Sequence, residues 1–271
     1  MRRAALLQMT SGVNPDTNAR VIVDAVNRAA GESAAMLFTP EMSGLLDRNR
    51  KRAAERITTE HEDRTLVAVR EAAARTGLWV ALGSLAIRRE DGAWVNRAFV
   101  IDAAGEIAAR YDKIHMFDVD LPGGESWKES SAYAAGAAAV HLETPLGRLG
   151  LTICYDIRFP ALFEALGRAR CDLIAIPAAF TVQTGQAHWH VLQRARAIEA
   201  SAYVVSAAQV GIHDDGRSTY GHSLVVDPWG EVLLDMGGEG AGLAFAQVDA
   251  ARIAKVREDL PSLANRREIA I

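Results

Sequence analysis

The sequence predicts a mixed α/β fold in which two β-sheets pack face to face with helices on their outer sides. Short apolar runs with strand character alternate with segments of helical periodicity along most of the 271 residues. At least two pairs of adjacent runs carry hairpin signals, at Asp91-Gly92 and at Pro145-Leu146-Gly147, so both sheets should be mixed and not purely parallel. About twelve strands are expected, and one open sheet of that size tends to split into two packed sheets.

In the first part of the chain, capping residues and glycines delimit the predicted helices. Asn14 followed by Pro15 predicts a helix start, because asparagine caps the first turn and proline suits its first position. Gly31 predicts the end of that helix, and a second helix over residues 60–75 is closed by Gly77. Strands are predicted over residues 4–9, 34–38, 78–87, 94–102 and 107–113.

The middle of the chain, residues 114–139, shows little periodicity and is predicted as a loop. A loop of that length within a compact domain is more often functional than idle. Beyond it, helices are predicted over residues 161–170, 186–200 and 250–258, and a polar tail follows Pro261. Strands are predicted over residues 140–143, 149–154, 171–178, 203–209, 222–227, 232–236 and 243–248. No linker interrupts the pattern, so residues 1–271 are expected to form one domain.

Composition and charge exclude several classes of function. A formal net charge of −4 and a pI near 6.0 argue against a nucleic-acid binder. No apolar run approaches the roughly 18 residues of a membrane span, and the apolar stretch after Arg2-Arg3 is too short for a signal peptide. Two cysteines cannot make a disulfide framework, so a reducing, cytoplasmic compartment is the simplest expectation.

Cys154 is the most suggestive residue for chemistry. It ends a predicted strand and precedes a helix, and a nucleophile on such a tight turn is exposed at the end of a sheet near a helix N-terminus. That position is expected to lower the pKa of the thiol and to supply backbone N–H donors. A buried core cysteine is the alternative from the local sequence. Cys171 lacks a comparable turn and is expected to lie in the core.

A thiol needs a base and a nearby positive charge, since only a few per cent of it is ionised at pH 7. Glu41 and Lys113 each follow a predicted strand, as Cys154 does. Taken alone, each is more often an ordinary surface charge. Catalytic groups of α/β proteins gather at the carboxyl ends of strands, so their shared placement with Cys154 strengthens the catalytic interpretation.

The seven histidines match no metal-binding spacing. His188 and His190 are two residues apart on a predicted helix and point about 200° apart, so they cannot chelate one metal ion. No metal site or cofactor is predicted. His115, His188 and His222 are expected to be hydrogen-bonded structural groups, although a Cys–His pair is not excluded by sequence alone.

Three fragments together resemble the nitrilase (carbon–nitrogen hydrolase) superfamily, and the resemblance covers nearly the whole chain. They are Thr39-Pro40-Glu41, Tyr111-Asp112-Lys113-Ile114-His115 and Ile153-Cys154-Tyr155-Asp156-Ile157-Arg158-Phe159-Pro160. The resemblance implies a four-layer α-β-β-α sandwich with two mixed sheets, and two such subunits packed as a homodimer. It also implies a Glu41–Lys113–Cys154 catalytic triad, with Glu129 as the family's second glutamate and no cofactor.

The second half of the chain resembles the branch of this family that contains deaminated glutathione amidases and ω-amidases. The fragments Arg194-Ala195-Arg196-Ala197-Ile198-Glu199 and Ala207-Ala208-Gln209 favour the former. Gln186 departs from the proline usual in that branch, which bears on a loop and not on the triad. The resemblance implies a cysteine-dependent amidase that acts on a small anionic amide through a thioester.

The substrate-binding expectations rest on residues near the triad. The backbone N–H of Tyr155 is expected to help hold the oxyanion, and the branch resemblance places Phe180 and Thr184 in the pocket. The Arg158 guanidinium would bind a substrate carboxylate or pair with a local carboxylate such as Asp156; the sequence leaves both open. Residues 211–220 are expected to form a rim that selects longer substrates, with Arg217 meeting their terminal carboxylate.

Three other functions compete with this expectation. An ω-amidase would release ammonia from 2-oxoglutaramate, and the triad cannot separate it from a deaminated glutathione amidase. A true nitrilase is less favoured by the second-half motifs. A non-catalytic binding protein on the same fold is disfavoured by the intact glutamate, lysine and cysteine.

Overall fold

The computed structural model describes residues 1–121, 124 and 126–267 and contains two six-stranded sheets. The strands are β1 (Arg2–Gln8), β2 (Met36–Phe38), β3 (Trp79–Arg88), β4 (Trp94–Ile101), β5 (Ile107–Asp112), β6 (Asp118–Asp120), β7 (Ser126–Lys128), β8 (Val140–Thr144), β9 (Gly147–Leu151), β10 (Leu173–Ala175), β11 (Tyr203–Ser206), β12 (Val210–Ile212), β13 (Ser218–Tyr220), β14 (Leu224–Val226), β15 (Val232–Asp235) and β16 (Gly242–Val248). The helices are α1 (Pro15–Gly31), α2 (Arg50–Ala54), α3 (Arg64–Thr76), α4 (Pro160–Arg168), α5 (Val182–Ala200) and α6 (Ala250–Asp259).

Both large sheets are mixed, as the hairpin signals predict. The first has the order β16-β1-β2-β3-β4-β5, with β1, β2 and β3 parallel and the remaining pairs antiparallel. The second has the order β15-β14-β11-β10-β9-β8, with β9, β10 and β11 parallel. The two sheets together hold twelve strands.

The alternation of side chains along each strand builds the layers. In β1, Leu6 faces the core between the sheets, whereas Leu7 packs towards α1 and α3. In β2, Phe38 and Leu37 divide in the same way. A strand covered on both faces must be apolar at successive positions, as these strands are. With α4 and α5 on the second sheet, the arrangement is the predicted α-β-β-α sandwich.

The predicted helix signals are confirmed, with shifted boundaries. The Asn14 side chain accepts hydrogen bonds from the N–H groups of Asp16 and Thr17, and α1 ends at Gly31. The second predicted helix starts at Arg64 and not at residue 60, because the Asp63 carboxylate caps it by accepting from Leu66 N–H at 2.8 Å.

Several predicted strands are too long, because apolar residues continue past the point where sheet pairing stops. The strand predicted over residues 149–154 ends at Leu151, and Cys154 begins a 3-10 turn, Cys154–Arg158. The strand predicted over residues 171–178 spans only Leu173–Ala175. The predicted loop over residues 114–139 holds the β6–β7 hairpin, and residues 211–220 belong to the β12–β13 hairpin.

The C-terminal tail of the described chain contacts α4 and α5. The tail after Pro261 is fixed to the helices, since the Arg266 guanidinium donates to the carbonyl oxygens of Glu164 and Glu199. Residues 122, 123, 125 and 268–271 lie outside the described residues, and the single-domain prediction for residues 1–271 stays a prediction. Among the helices of the described chain, none has the length and apolar character to cross a bilayer.

A close approach at Gly83 brings the glutamate segment to its place. A Cβ at this position in β3 would lie 2.0 Å from the carbonyl oxygen of Thr39 and 2.4 Å from that of Pro40. Only glycine therefore lets β3 pack directly against the segment that carries Glu41. Ser84, the next residue, holds the same segment through hydrogen bonds to Met42 N–H and Ser43 N–H.

Candidate active site

Residues from four separate segments meet at the carboxyl ends of the strands. Glu41 follows β2, Lys113 follows β5, Cys154 follows β9, and Glu129 begins a 3-10 turn after β7. Glu41, Lys113 and Cys154 are buried, and all four side chains line one cavity. The structure thus brings together the four residues that the sequence and its family resemblance single out.

The Lys113 ammonium lies between the two carboxylates. Its Nζ donates to Glu41 Oε1 at 2.9 Å and to Glu129 Oε2 at 2.8 Å. Glu129 is fixed in turn by Phe117 N–H, which donates to Oε2 at 2.7 Å. The three charges therefore form one buried, hydrogen-bonded cluster, the arrangement that lets charged groups persist away from water.

Asn96 is a member of this cluster that sequence reasoning missed. Its Nδ2 donates to Glu41 Oε1 at 2.9 Å and to Glu129 Oε1 at 3.1 Å, so one amide bridges both carboxylates. The residue is fully buried in β4, between Val95 and Arg97. An amide in a largely apolar strand is the signal that would have found it, because such a group needs partners inside the protein.

The Glu41 carboxylate and the Glu41 backbone each accept one further hydrogen bond. Ala179 N–H donates to Glu41 Oε2 at 2.9 Å, which links the carboxylate to the segment after β10. The buried Gln209 amide donates to the Glu41 carbonyl oxygen at 2.9 Å. The carboxylate is held from three sides, and its orientation does not depend on solvent.

Cys154 lies on a sharp turn with unusual backbone geometry. Its φ is +46°, a left-handed conformation that is rare for residues other than glycine. The turn is fixed because Cys154 N–H donates to the Pro177 carbonyl oxygen at 2.8 Å. The predicted strand-turn-helix placement is confirmed in form, with a 3-10 turn between β9 and α4. Cys171 lies fully buried in the core, as predicted.

A buried carboxylate, Asp156, joins this turn to the lysine segment. It accepts from Ile153 N–H at 2.8 Å, from Tyr111 Oη at 2.7 Å, and from the N–H and Nδ1 of His115 at 3.0 and 2.7 Å. Tyr111 and His115 flank Lys113 on either side. The predicted structural role of His115 is therefore consistent with its contacts, and Asp156 couples the position of Cys154 to that of Lys113.

Burial, and not the helix end, controls the thiol. Burial, followed by the negative charge of Glu41, raises the pKa of Cys154 well above its ordinary value, and the Lys113 charge offsets only part of this. The expectation of a lowered thiol pKa was therefore wrong for the free enzyme. Burial alone would raise the pKa of Glu41, but the charge and hydrogen bond of Lys113 hold it below its ordinary value.

These directions fix the protons in the free enzyme. Burial would lower the pKa of Lys113, but the charges of Glu129 and Glu41 raise it well above its ordinary value. At neutral pH the lysine is therefore an ammonium, Glu41 is ionised, and the sulfur keeps its proton. The Glu41 carboxylate lines the same cavity as the thiol and its charge acts on the thiol pKa, so a base stands ready beside a protonated nucleophile.

The cavity above the cysteine has a volume of about 280 Å³, at the lower end of the range for small-molecule sites. Tyr155, Phe180 and Thr184 line it, as predicted, and so does Arg217 from the β12–β13 hairpin. Arg158 is not among the lining residues: its guanidinium lies 5.4 Å from the Phe180 ring centre and 5.9 Å from that of Tyr155. Nor does it pair with Asp156, whose oxygens already accept from Tyr111, His115 and Ile153.

The sequence model of the carbon–nitrogen hydrolase family matches residues 3–258. The chain belongs to the carbon–nitrogen hydrolase family. This confirms the resemblance predicted from the three fragments, and it makes the protein a hydrolase of carbon–nitrogen bonds other than peptide bonds.

Relatives of this carbon–nitrogen hydrolase agree with that assignment. It is 38% identical to a deaminated glutathione amidase of Synechocystis sp., over 97% of both chains. Its fold matches the NitFhit protein of Caenorhabditis elegans with a TM-score of 0.89 at 36% identity, over 98% of this chain and 65% of that one. A mutant amidase of Nesterenkonia sp. AN1, with acrylamide added at its active-site cysteine, matches with a TM-score of 0.80 at 26% identity, over 96% of this chain and 98% of that one.

The negative charge of Glu41 helps to raise the pKa of the Cys154 thiol in this hydrolase, and a substitution tests this. Replacing it by Glu41→Gln removes a negative charge beside the sulfur, so the pKa of Cys154 should fall while Lys113 still stabilises the thiolate. A pH titration of thiolate absorbance in the ultraviolet measures this, with the Cys154→Ser form of each protein subtracted to remove Cys171. Glu60→Gln, which removes a carboxylate paired with Arg97 and Arg110, is the control and should leave the titration unchanged. An equal or higher thiol pKa in Glu41→Gln would contradict this description of the site.

Proposed function

We propose that the protein is a cysteine-dependent amidase that hydrolyses deaminated glutathione to 2-oxoglutarate and cysteinylglycine through a thioester. The observation that carries the chemistry is the buried contact of Cys154 with an ionised Glu41, itself paired to Lys113. The named relatives support the substrate.

In the first half-reaction, Glu41 accepts the proton of Cys154 as the sulfur attacks the amide carbonyl. Lys113 and the backbone N–H of Tyr155 hold the developing oxyanion, and donors of this kind are worth roughly 3–4 kcal/mol each in known hydrolases. An N–H in the first turn of a helix has no partner within that helix, which leaves Tyr155 N–H available for the substrate.

The tetrahedral intermediate then collapses and breaks the carbon–nitrogen bond. The proton held by Glu41 passes to the leaving amine of cysteinylglycine, and the acyl group stays on Cys154 as a thioester. Glu41 next takes a proton from water, which attacks the thioester and releases the acid and the thiol. Glu129 keeps Lys113 in place through both steps.

The mouth of the cavity favours a substrate with a second negative charge. Four cationic side chains contribute to the lining there: Arg48, Arg50, Lys128 and Arg217. Arg48 and Arg217 both lie over the Trp127 ring, at 5.6 and 4.7 Å from its centre. Asp215 holds these two segments together, because it pairs with the Arg217 guanidinium and accepts from Arg48 N–H at 2.8 Å.

The two leading substrates differ in the number of negative charges that these cations could meet. Deaminated glutathione carries a carboxylate at each end, whereas 2-oxoglutaramate has one carboxylate and a terminal amide. Within the described part of the chain, Arg48 has no ion-pair partner, while Asp47 is already paired with Arg52 at 2.6 Å. Arg48 is therefore the cation we assign to the glycine carboxylate. The role predicted for Arg158 at the other carboxylate stays a prediction. Its guanidinium lies over the ring of Phe180, which lines the cavity.

The substrate assignment is tested by incubating the protein with each amide and comparing kcat/KM. We expect deaminated glutathione to be preferred, and Cys154→Ala to abolish product formation because no thioester can form. Mass spectrometry of the wild type mixed with substrate should find an acyl group on Cys154. A tenfold preference for 2-oxoglutaramate would make the protein an ω-amidase, and the absence of adduct and product with all amides would favour a binding protein.

The mouth is tested by Arg48→Gln. We expect KM for deaminated glutathione to rise about tenfold with little change in kcat, because the variant loses a charged hydrogen bond to the substrate. A tenfold change corresponds to about 1.4 kcal/mol. The KM for 2-oxoglutaramate should not change. Arg75→Gln, an exposed arginine on α3, is the matched control. An equal rise in KM for both substrates would show that Arg48 does not read the second carboxylate.

We also propose that the protein forms a homodimer, as the family resemblance implies. Exposed apolar side chains of α5, β15 and the preceding turn support this, among them Val191 at 69% exposure and Trp229 at 55%. Light scattering of the purified protein should give about twice 29.2 kDa. A monomer at micromolar concentration would reject this assembly.

Both cysteines are free thiols, and the cytoplasmic location stays a prediction.

A further inference from the structure

Two histidines and one aspartate meet at a second place, outside the residues that line the substrate cavity. His190 lies on α5, His222 lies between β13 and β14, and Asp235 ends β15. Their side chains are 35%, 23% and 32% exposed. The three groups are thus partly enclosed in the single chain, and they lie beside the apolar face proposed for the dimer.

The donor atoms of the three residues point at one another. His190 Nε2 lies 2.9 Å from Asp235 Oδ2, and His222 Nδ1 lies 2.9 Å from Asp235 Oδ1. One ligand atom from each residue falls within 4.8 Å of the other two. Around a zinc ion with bonds of about 2.0–2.2 Å, tetrahedral ligand atoms are roughly 3.3 Å apart. The two 2.9 Å contacts are hydrogen-bond distances, so an ion would replace the proton shared in each contact and the ligand atoms would move apart by a few tenths of an ångström.

The surroundings fix the orientation of each ligand. Gly237 N–H donates to Asp235 Oδ1 at 2.9 Å, and His222 N–H donates to the Gly237 carbonyl oxygen at 2.8 Å. The Tyr220 ring stacks on the His222 ring at 4.3 Å. Ligands held in this way lose little freedom when an ion binds, and such supporting contacts are typical of metal sites.

We propose that His190, His222 and Asp235 bind one divalent transition-metal ion, with Zn²⁺ as the preferred ion. Imidazole nitrogen suits zinc, copper and nickel, and a carboxylate adds the charge that favours a divalent ion. Three protein ligands leave a position for water. This site is independent of the amidase chemistry and takes no part in the steps above.

The ion would join α5 to the strands behind the substrate cavity. The Trp189 indole, next to His190, donates from Nε1 to the His222 carbonyl oxygen at 2.9 Å. The same ring lies 4.9 Å from that of Phe180, which lines the cavity. A bound ion is therefore a structural tether beside the cavity wall.

The binding test uses tag-free, chelator-treated protein with Cys154→Ser, which removes the competing thiol of the active site. Co²⁺ is titrated and followed by its visible absorbance, Zn²⁺ is then added as competitor, and equilibrium dialysis gives the stoichiometry. We expect one equivalent per chain, displaced by Zn²⁺. His190→Gln, His222→Gln and Asp235→Asn should each weaken binding at least tenfold.

His188→Gln is the matched control, since His188 is on the same helix but its Nδ1 lies near the Arg158 guanidinium at 3.3 Å. It should bind as the parent does. Circular dichroism and light scattering of every variant check the fold and the assembly, because Val191 adjoins His190 on the proposed dimer face. Equal weakening by His188→Gln and His190→Gln would overturn the site.

A second measurement does not depend on the ligand variants. Electron paramagnetic resonance of the Cu²⁺-loaded parent should show coupling to two imidazole nitrogens. No bound metal at millimolar concentration, or a bound copper without nitrogen coupling, would show that the three side chains form a hydrogen-bonded network only.

Discussion

The burial of the Lys113 ammonium between Glu41 and Glu129 is the constraint on which the site depends. Removing one ion from water costs several kcal/mol even after relaxation, so a lone buried charge is not tolerated. Here each charge is paired, and the two carboxylates also accept hydrogen bonds from Asn96, Phe117 N–H and Ala179 N–H. The cluster ties segments after β2, β5, β7 and β10 to one point, because loss of Lys113 would leave two neighbouring carboxylates without a counter-ion.

The same burial decides which group holds the proton. A helix end stabilises an anion by about 0.3–1 kcal/mol, and its effect falls off within the first turn. Burial of an isolated thiolate costs more than that, and Glu41 adds repulsion. The thiol therefore stays protonated in the free enzyme. This resting state suits the chemistry. The ionised Glu41 is ready to accept the thiol proton, and it takes that proton as the sulfur attacks a carbonyl.

The sequence predicted the triad better than its supports, and the reason is geometric. Glu41, Lys113 and Cys154 each follow a strand, and strand ends meet at one edge of a sheet, so local patterns made them candidates and the family resemblance assigned them as a triad. Asn96 and Asp156 act through partners far along the chain, which local spacing does not identify. Arg158 shows the limit of such patterns: it is close to Cys154 in sequence, yet its guanidinium lies over the Phe180 ring and is not among the groups that line the cavity. The His190 cluster escaped the spacing rules because its members are separated by a whole hairpin.

Chemistry and selectivity occupy structurally different parts of the cavity. The reacting groups lie on short segments fixed by both sheets, by Gly83 and by the Asp156 network, so their geometry tolerates little change. The cations at the mouth lie on exposed segments joined mainly through Asp215 and the Trp127 ring. Substitutions at the mouth can therefore alter which amide is accepted without disturbing proton transfer at the sulfur. For this reason a shared triad identifies the reaction, whereas the substrate must be decided by the charges that surround the entrance.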